Sequence, residues 1–229
     1  MKKQTIVLGV IVTLVCSSLM MSGCVQQNGS PNQPSQPETL HQILIKAETI
    51  KSVYYEIYSS TTMSGTLKNV TIPNTIVKIW QETPYLKEVT IMGNSTTDTI
   101  IERPNGAYHY DTTEHKYKLL VIPINPQPFT GDVAKDLLNN QTIMTLGNET
   151  IDGKTAIVIQ YSSNRSDNFS KNITNFKMIT TMKMWIWKDH GVPLKTMLVT
   201  TKGNITTTID SQYKNYSFSD IPDTTFNVS

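Results

Sequence analysis

The sequence predicts an α+β fold: one large antiparallel β-sheet forming a single domain behind a removable leader and a polar tether. Three observations carry this. Apolar and polar residues alternate with period two over most of the chain beyond Val53. Strand-length segments follow one another through tight turns, with no helical pattern between most of them. Helical periodicity is confined to two short stretches, so the order is helix, several strands, helix, several strands.

Residues 1–23 come first. Lys2-Lys3, an apolar run from Ile6 to Val15, and Leu19-Met20-Met21-Ser22-Gly23 before Cys24 have the anatomy of a secretory signal. Ser22 and Gly23 directly before Cys24 resemble the lipobox of prolipoproteins, where the cysteine is acylated and becomes the new N-terminus. Met21 stands where that motif most often has Leu. The alternative is an uncleaved anchor, but Ile6 to Met21 is 16 residues and includes Thr13, Ser17 and Ser18, whereas a spanning helix needs about 20 apolar residues. Either reading places the remainder on the outer face of a membrane; on the first, Cys24 anchors it to membrane lipid. Residues 24–38 contain three prolines and no large apolar side chain after Val25, so they read as a solvated tether.

The domain then spans residues 39–229. Thr39 and Gln42 form a capping box, and Leu40, Ile43, Leu44, Ala47 and Ile50 recur at helical spacing. Strands follow at Val53–Tyr58, Ile76–Gln81, Leu86–Met92, Thr97–Glu102, around Tyr108 and Tyr110, and at Tyr117–Ile122, with a turn signal at Asn105-Gly106. Pro123, Pro126 and Pro128 interrupt the pattern, and Gly131–Gln141 reads as a second amphipathic helix with Val133, Leu137 and Leu138 on one face. Strands resume at Thr142–Thr150 and Thr155–Tyr161 around Asp152-Gly153. Ser162–Asn175 is polar and reads as an exposed loop. Met178–Lys188, Leu194–Thr201, Asn204–Asp210 and a last stretch to Phe218 complete the set.

Composition excludes several function classes. Loss of residues 1–23 removes Lys2 and Lys3 and no acid, so 20 basic residues fall to 18 against 18 acidic ones. A net charge near zero leaves no basic patch for nucleic acid. Cys16 departs with the leader and Cys24 takes the lipid, so the domain has no disulfide and no cysteine metal site. His41, His109, His115 and His190 have no partners at metal-ligand spacing. No nucleophile elbow, zinc-protease helix or phosphate loop is present. The expectation is a monomeric non-enzyme without metal or cofactor.

Asparagine gives the second compositional signal. Eleven of the 17 asparagines open an Asn-x-Ser/Thr sequon: Asn28, Asn69, Asn94, Asn140, Asn148, Asn164, Asn168, Asn172, Asn204, Asn215 and Asn227. Ser and Thr make up 50 of 229 residues, so chance would supply roughly four sequons. The excess points to N-glycosylation of an exported surface, and with the lipobox it fits an archaeal cell envelope. Thr-rich strands beside Asn-rich turns would also generate sequons that carry no glycan.

The order of several motifs resembles the LolA-like superfamily, which includes the bacterial periplasmic lipoprotein carrier and mycobacterial lipid-binding lipoproteins. The residues are Ile50-Lys51-Ser52 with Tyr54 and Tyr55, Ile151-Asp152-Gly153-Lys154-Thr155-Ala156, Met184-Trp185-Ile186-Trp187-Lys188, Val192-Pro193-Leu194-Lys195, Tyr213-Lys214-Asn215-Tyr216 and Ile221-Pro222-Asp223-Thr224-Thr225-Phe226. The resemblance implies a strongly curved half-barrel whose concave face is covered by amphipathic helices and encloses a cavity for acyl chains. It implies a hydrophobic ligand, a lipid or the acyl chains of a lipoprotein, as partner. Met178, Met182, Met184 and Ile186 share one strand face and are the candidate cavity lining, with ordinary core as the competing reading. Lys183, Trp185 and Trp187 share the other face. The rival functions are a surface interaction or sensor module and a structural envelope glycoprotein without ligand.

Overall fold

The computed structural model describes residues 38–65, 70–121, 143–167 and 176–228. Helix α1 (Leu40–Glu48) begins at the expected capping box: the Thr39 side chain accepts from the Gln42 backbone N–H, and the Gln42 side chain accepts from the Thr39 backbone. Those bonds satisfy donors that a helix start leaves unpaired. Its apolar stripe buries Ile43, Leu44 and Ala47.

The strands are β1 (Ser52–Ser64), β2 (Val70–Glu82), β3 (Tyr85–Met92), β4 (Ser95–Arg103), β5 (Gly106–Asp111), β6 (Lys116–Val121), β7 (Met144–Ile151), β8 (Lys154–Asp167), β9 (Phe176–Trp187), β10 (Pro193–Lys202) and β11 (Ile205–Ser217). They form one 11-stranded sheet in the order β6-β5-β4-β3-β2-β1-β11-β10-β9-β8-β7. Every pairing is antiparallel. Two meanders, β1–β6 and β7–β11, are joined along the β1–β11 seam, and the sheet stays open with β6 and β7 at its edges. Register shifts interrupt six or more of these ladders, among them β1–β11 between Tyr54 and Glu56 and β1–β2 between Ser59 and Thr61. Such bulges sharpen the right-handed twist of a sheet this wide.

Side-chain alternation gives the sheet two unlike faces. On one, α1 packs Ile43, Leu44 and Ala47 onto Ile157, Ile159, Met184, Ile186 and Val192. Val53, Tyr55 and Ile79 continue this face across the seam. On the other, Trp185 packs with Ala156, Val158 and Leu194. There a short 3-10 turn (Asp223–Phe226) brings Ile221 and Phe226 onto Ile101, with Trp80, Tyr85 and Tyr117 around them.

Two expectations change. Among the described residues α1 is the one α-helix on this face, so the expected helical cover is seen in part; the second expected helix, 131–141, lies outside them. At nine residues, α1 is about 13 Å long, against roughly 48 Å for eleven strands spaced at 4.8 Å. Cover on the opposite face comes from the C-terminal segment. The stretch from Ser162 to Asp167 is strand, not loop, because β8 keeps its pairing with β9 out to Asp167 and Phe176. Threonine and serine hydroxyls suit a half-exposed pleat, as the Ser162–Thr181 bond at 3.1 Å shows.

Gly191 ties α1 to the β9–β10 turn. Its φ is +72°, and a Cβ there would lie 2.3 Å from the Ile43 carbonyl oxygen and 3.0 Å from the Ala47 nitrogen. Gly93, at φ +61°, has nothing within 4 Å of that position. Gly191→Ala is therefore expected to lower stability by about 2–5 kcal/mol, combining left-handed strain and backbone overlap. Gly93→Ala should cost about 1–2 kcal/mol from strain alone. Urea unfolding midpoints of the two variants would check the ranking.

Candidate functional site

The face that carries α1 is apolar by construction. Register places Ile157 opposite Ile186, Ile159 opposite Met184 and Tyr161 opposite Met182. Met182 in turn faces Leu198 on β10, and Leu198 faces Ile209 on β11. Across the seam Ile57 pairs with Tyr213 and Val77, and Tyr55 with Ile79. The four candidate lining residues do share this face. Met184 and Ile186, at 6% and 1% exposure, are core under α1. Met182 packs partly buried against that core, and Met178 is half-buried at the far end of β9. Beyond the helix the stripe continues through Leu198, Ile209, Ile57, Val77 and Leu86, all half-buried.

Past the stripe the face turns acidic. Glu88 on β3 sits opposite Ile79 and Ile100, and Asp98 on β4 opposite Thr90. Burial pushes the Glu88 carboxyl above its ordinary range, with Asp98 adding repulsion; burial does the same for Glu102, with Glu88 adding to it. Asp98 is held by His109 Nε2 at 2.9 Å.

The opposite face holds a constellation that the sequence did not signal. Glu56 is 7% exposed and lies on the seam. Tyr54 and Tyr58 donate their hydroxyls to its carboxylate, Asn215 Nδ2 donates at 2.8 Å, and Lys78 Nζ stands 3.6 Å away. Burial alone would raise this carboxyl, but those donors and the ammonium outweigh it and bring it down to about 2. Further along, Trp185 Nε1 donates to Glu149 Oε2 at 2.7 Å, and Lys183 lies 4.4 Å above the Trp185 ring. Lys183 and Trp185, which share this face, are thus engaged with each other and with Glu149. Trp187 instead reaches His190, Tyr216 and Phe218.

Hollows of about 320, 260 and 160 Å³ lie, respectively, beside Ile50, His190 and Phe218, around Ser59 and Gln212, and between Lys154 and Lys214. None of these three is lined by the four candidate residues. Among the described residues no group of three or more His, Cys, Asp or Glu is placed to hold a metal ion, and no helix is long and apolar enough to cross a membrane. Asn94, Asn148, Asn204, Asn215 and Asn227 are all exposed, and Asn164 lies in β8. Cys24, Asn28, Asn69, Asn140, Asn168 and Asn172 fall outside the described residues.

Glu56 yields a pH test. Its folded value near 2 lies below the ordinary 4.5, so its contribution is present in full above about pH 4.5 and is lost as pH falls toward 2. Glu56→Gln is expected to be less stable than the parent near pH 7, with the gap narrowing between pH 4.5 and 2. Urea midpoints across that window that stay parallel for the two proteins would contradict the network.

No protein-family model and no curated protein matches the chain. Among solved structures it is similar to LprF from Mycobacterium bovis, with 13% identity and a TM-score of 0.42 over 80% of this chain and 94% of that one. It is similar to the lipoprotein LppX of Mycobacterium tuberculosis, with 11% identity and a TM-score of 0.38 over 83% and 98%. It is also similar to the LolA-superfamily protein NE2245 from Nitrosomonas europaea, with 12% identity and a TM-score of 0.32 over 83% and 98%.

Proposed function

We propose that this protein is a lipid-anchored extracytoplasmic domain that holds a hydrophobic ligand, a lipid or the acyl chains of a lipoprotein, against the helix-bearing face of its sheet. The observation that carries this is the half-buried apolar stripe that runs on past α1 through Leu198, Ile209, Ile57 and Val77. A nine-residue helix seals the β8–β9 end, and among the described residues no other helix lies over the rest of that stripe. Alkyl chain laid there gains about 0.8 kcal/mol per buried CH₂, with no bond made or broken. Residues on strands hold such a face rigidly, while the unbranched methionines adapt to chains of different shape. The acidic margin at Glu88 and Glu102 would favour a neutral or cationic head over an anionic one. Acylation of Cys24 would keep the domain at its own membrane, so cargo would pass only within reach of the tether.

A second reading has its own support. Among the described residues the edge strands β6 and β7 have no further strand paired to them, and they expose Leu119, Leu120, Met144 and Leu146 at 50–58%. Open apolar edges accept an added strand from another polypeptide.

Native mass spectrometry with lipid extraction of protein from its own host separates the readings: bound lipid supports the first, a retained peptide and no lipid the second. Leu198→Asp should weaken binding of a long-chain fatty acid probe about tenfold or more, equivalent to about 1.4 kcal/mol. Val89→Asp on the opposite face should leave it unchanged. Equal binding by the parent and a folded Leu198→Asp protein would count against the proposed face.

A further inference from the structure

The two ends of the sheet differ in their turns. At the end where α1 enters β1, the turns at Thr83-Pro84, Pro104-Asn105, Asp152-Gly153 and 188–191 carry no sequon. At the other end, two hairpins are built alike. Gly93-Asn94 joins β3 to β4 inside the Met92–Ser95 pair, and Gly203-Asn204 joins β10 to β11 inside the Lys202–Ile205 pair. Gly93 has φ +61° and Gly203 φ +59°. Glycine first in a two-residue loop suits the primed turns that match strand twist, and each loop then offers its asparagine at the tip. Both asparagines are exposed, and no hydrogen bond holds either side chain among the described residues. Each opens a sequon, Asn94-Ser95-Thr96 or Asn204-Ile205-Thr206.

Two of the other described sequons are placed differently. Asn148 lies within β7, paired with Ile157. Asn215 has φ +56°, sits on the seam and spends an Nδ2 proton on Glu56 at 2.8 Å. A sugar on that nitrogen would crowd a carboxylate buried among Tyr54 and Tyr58.

We infer that Asn94 and Asn204 are N-glycosylation sites, whereas Asn148 and Asn215 stay unmodified. The donor is a lipid-linked oligosaccharide (di)phosphate. The asparagine amide nitrogen forms the bond to the anomeric carbon, the bond from that carbon to the phosphate oxygen breaks, the lipid phosphate leaves, and the transferase takes the amide proton. The inference rests on the extracytoplasmic placement proposed above, not on the ligand. It sets sugar at the end of the sheet roughly 40 Å along the 13 residues of β1 from α1.

Glycopeptide mass spectrometry of protein isolated from its own host tests it. Glycan on both Asn94 and Asn204 with bare Asn148 and Asn215 is the expected result. A bare asparagine at either tip, or glycan on Asn215, overturns the assignment. A folded N94Q/N204Q variant produced in the same host should be lighter by the glycan carried at Asn94 and Asn204, and a mass unchanged from the parent likewise overturns it. Bare tips on a protein that still carries extractable lipid would remove this inference and leave the ligand-binding reading intact.

Discussion

The whole sheet depends on the antiparallel seam between β1 and β11. Without it the chain is two meanders, each with an exposed edge; with it, one sheet carries a continuous face on either side. The seam runs from Tyr54 opposite Ser217 to Ser64 opposite Thr206, and groups from both faces fasten it. Asn215 reaches Glu56 on one face, while Ser59 and Ser211 share a 2.8 Å bond on the other. Tyr55 stacks on Tyr216 at 5.3 Å, and the Tyr216 hydroxyl donates to the Pro193 carbonyl at 2.6 Å, tying the seam to the β9–β10 corner. A buried carboxylate is tolerable here because three donors and a nearby ammonium replace its water.

The sheet is also divided along its strands. Its large buried side chains gather toward the α1 end, whereas the far half is written in hydroxyls. Thr180 and Thr200 meet at 3.4 Å and Thr201 and Thr206 at 3.2 Å. β-Branched threonine favours the strand backbone without demanding burial. The protein can therefore build strands of 13 or 14 residues while confining its core to one end.

Local features were legible in the sequence because short-range physics fixes them. The Thr39–Gln42 capping box, the period-two runs, and the turn at Asp152-Gly153, both with positive φ, are read from neighbours within four residues. Strand order was not legible, since nothing near β1 names β11 as its partner. The role of Glu56 was hidden for the same reason, because Asn215 lies 159 residues away. The sequence placed the methionines and the tryptophans of β9 on opposite faces, and the structure agrees. It gave no sign of which face α1 would take, because both carry apolar neighbours on β8. Alternation cannot rank two faces that are both buried. The polar run after Tyr161 looked like loop because its strand is held by hydroxyl pairs and backbone, not by apolar contacts.

The seam has a consequence for synthesis. β1 is the first strand of the domain to emerge and β11 the last, so the centre of the finished sheet is the last strand pairing available. At 5–20 residues per second, the 159 residues between Glu56 and Asn215 correspond to roughly ten to thirty seconds. Throughout that interval the N-terminal meander presents β1 as a free edge with Tyr55 and Ile57 exposed. Until β11 arrives, that edge must be kept from pairing with the edges of other chains.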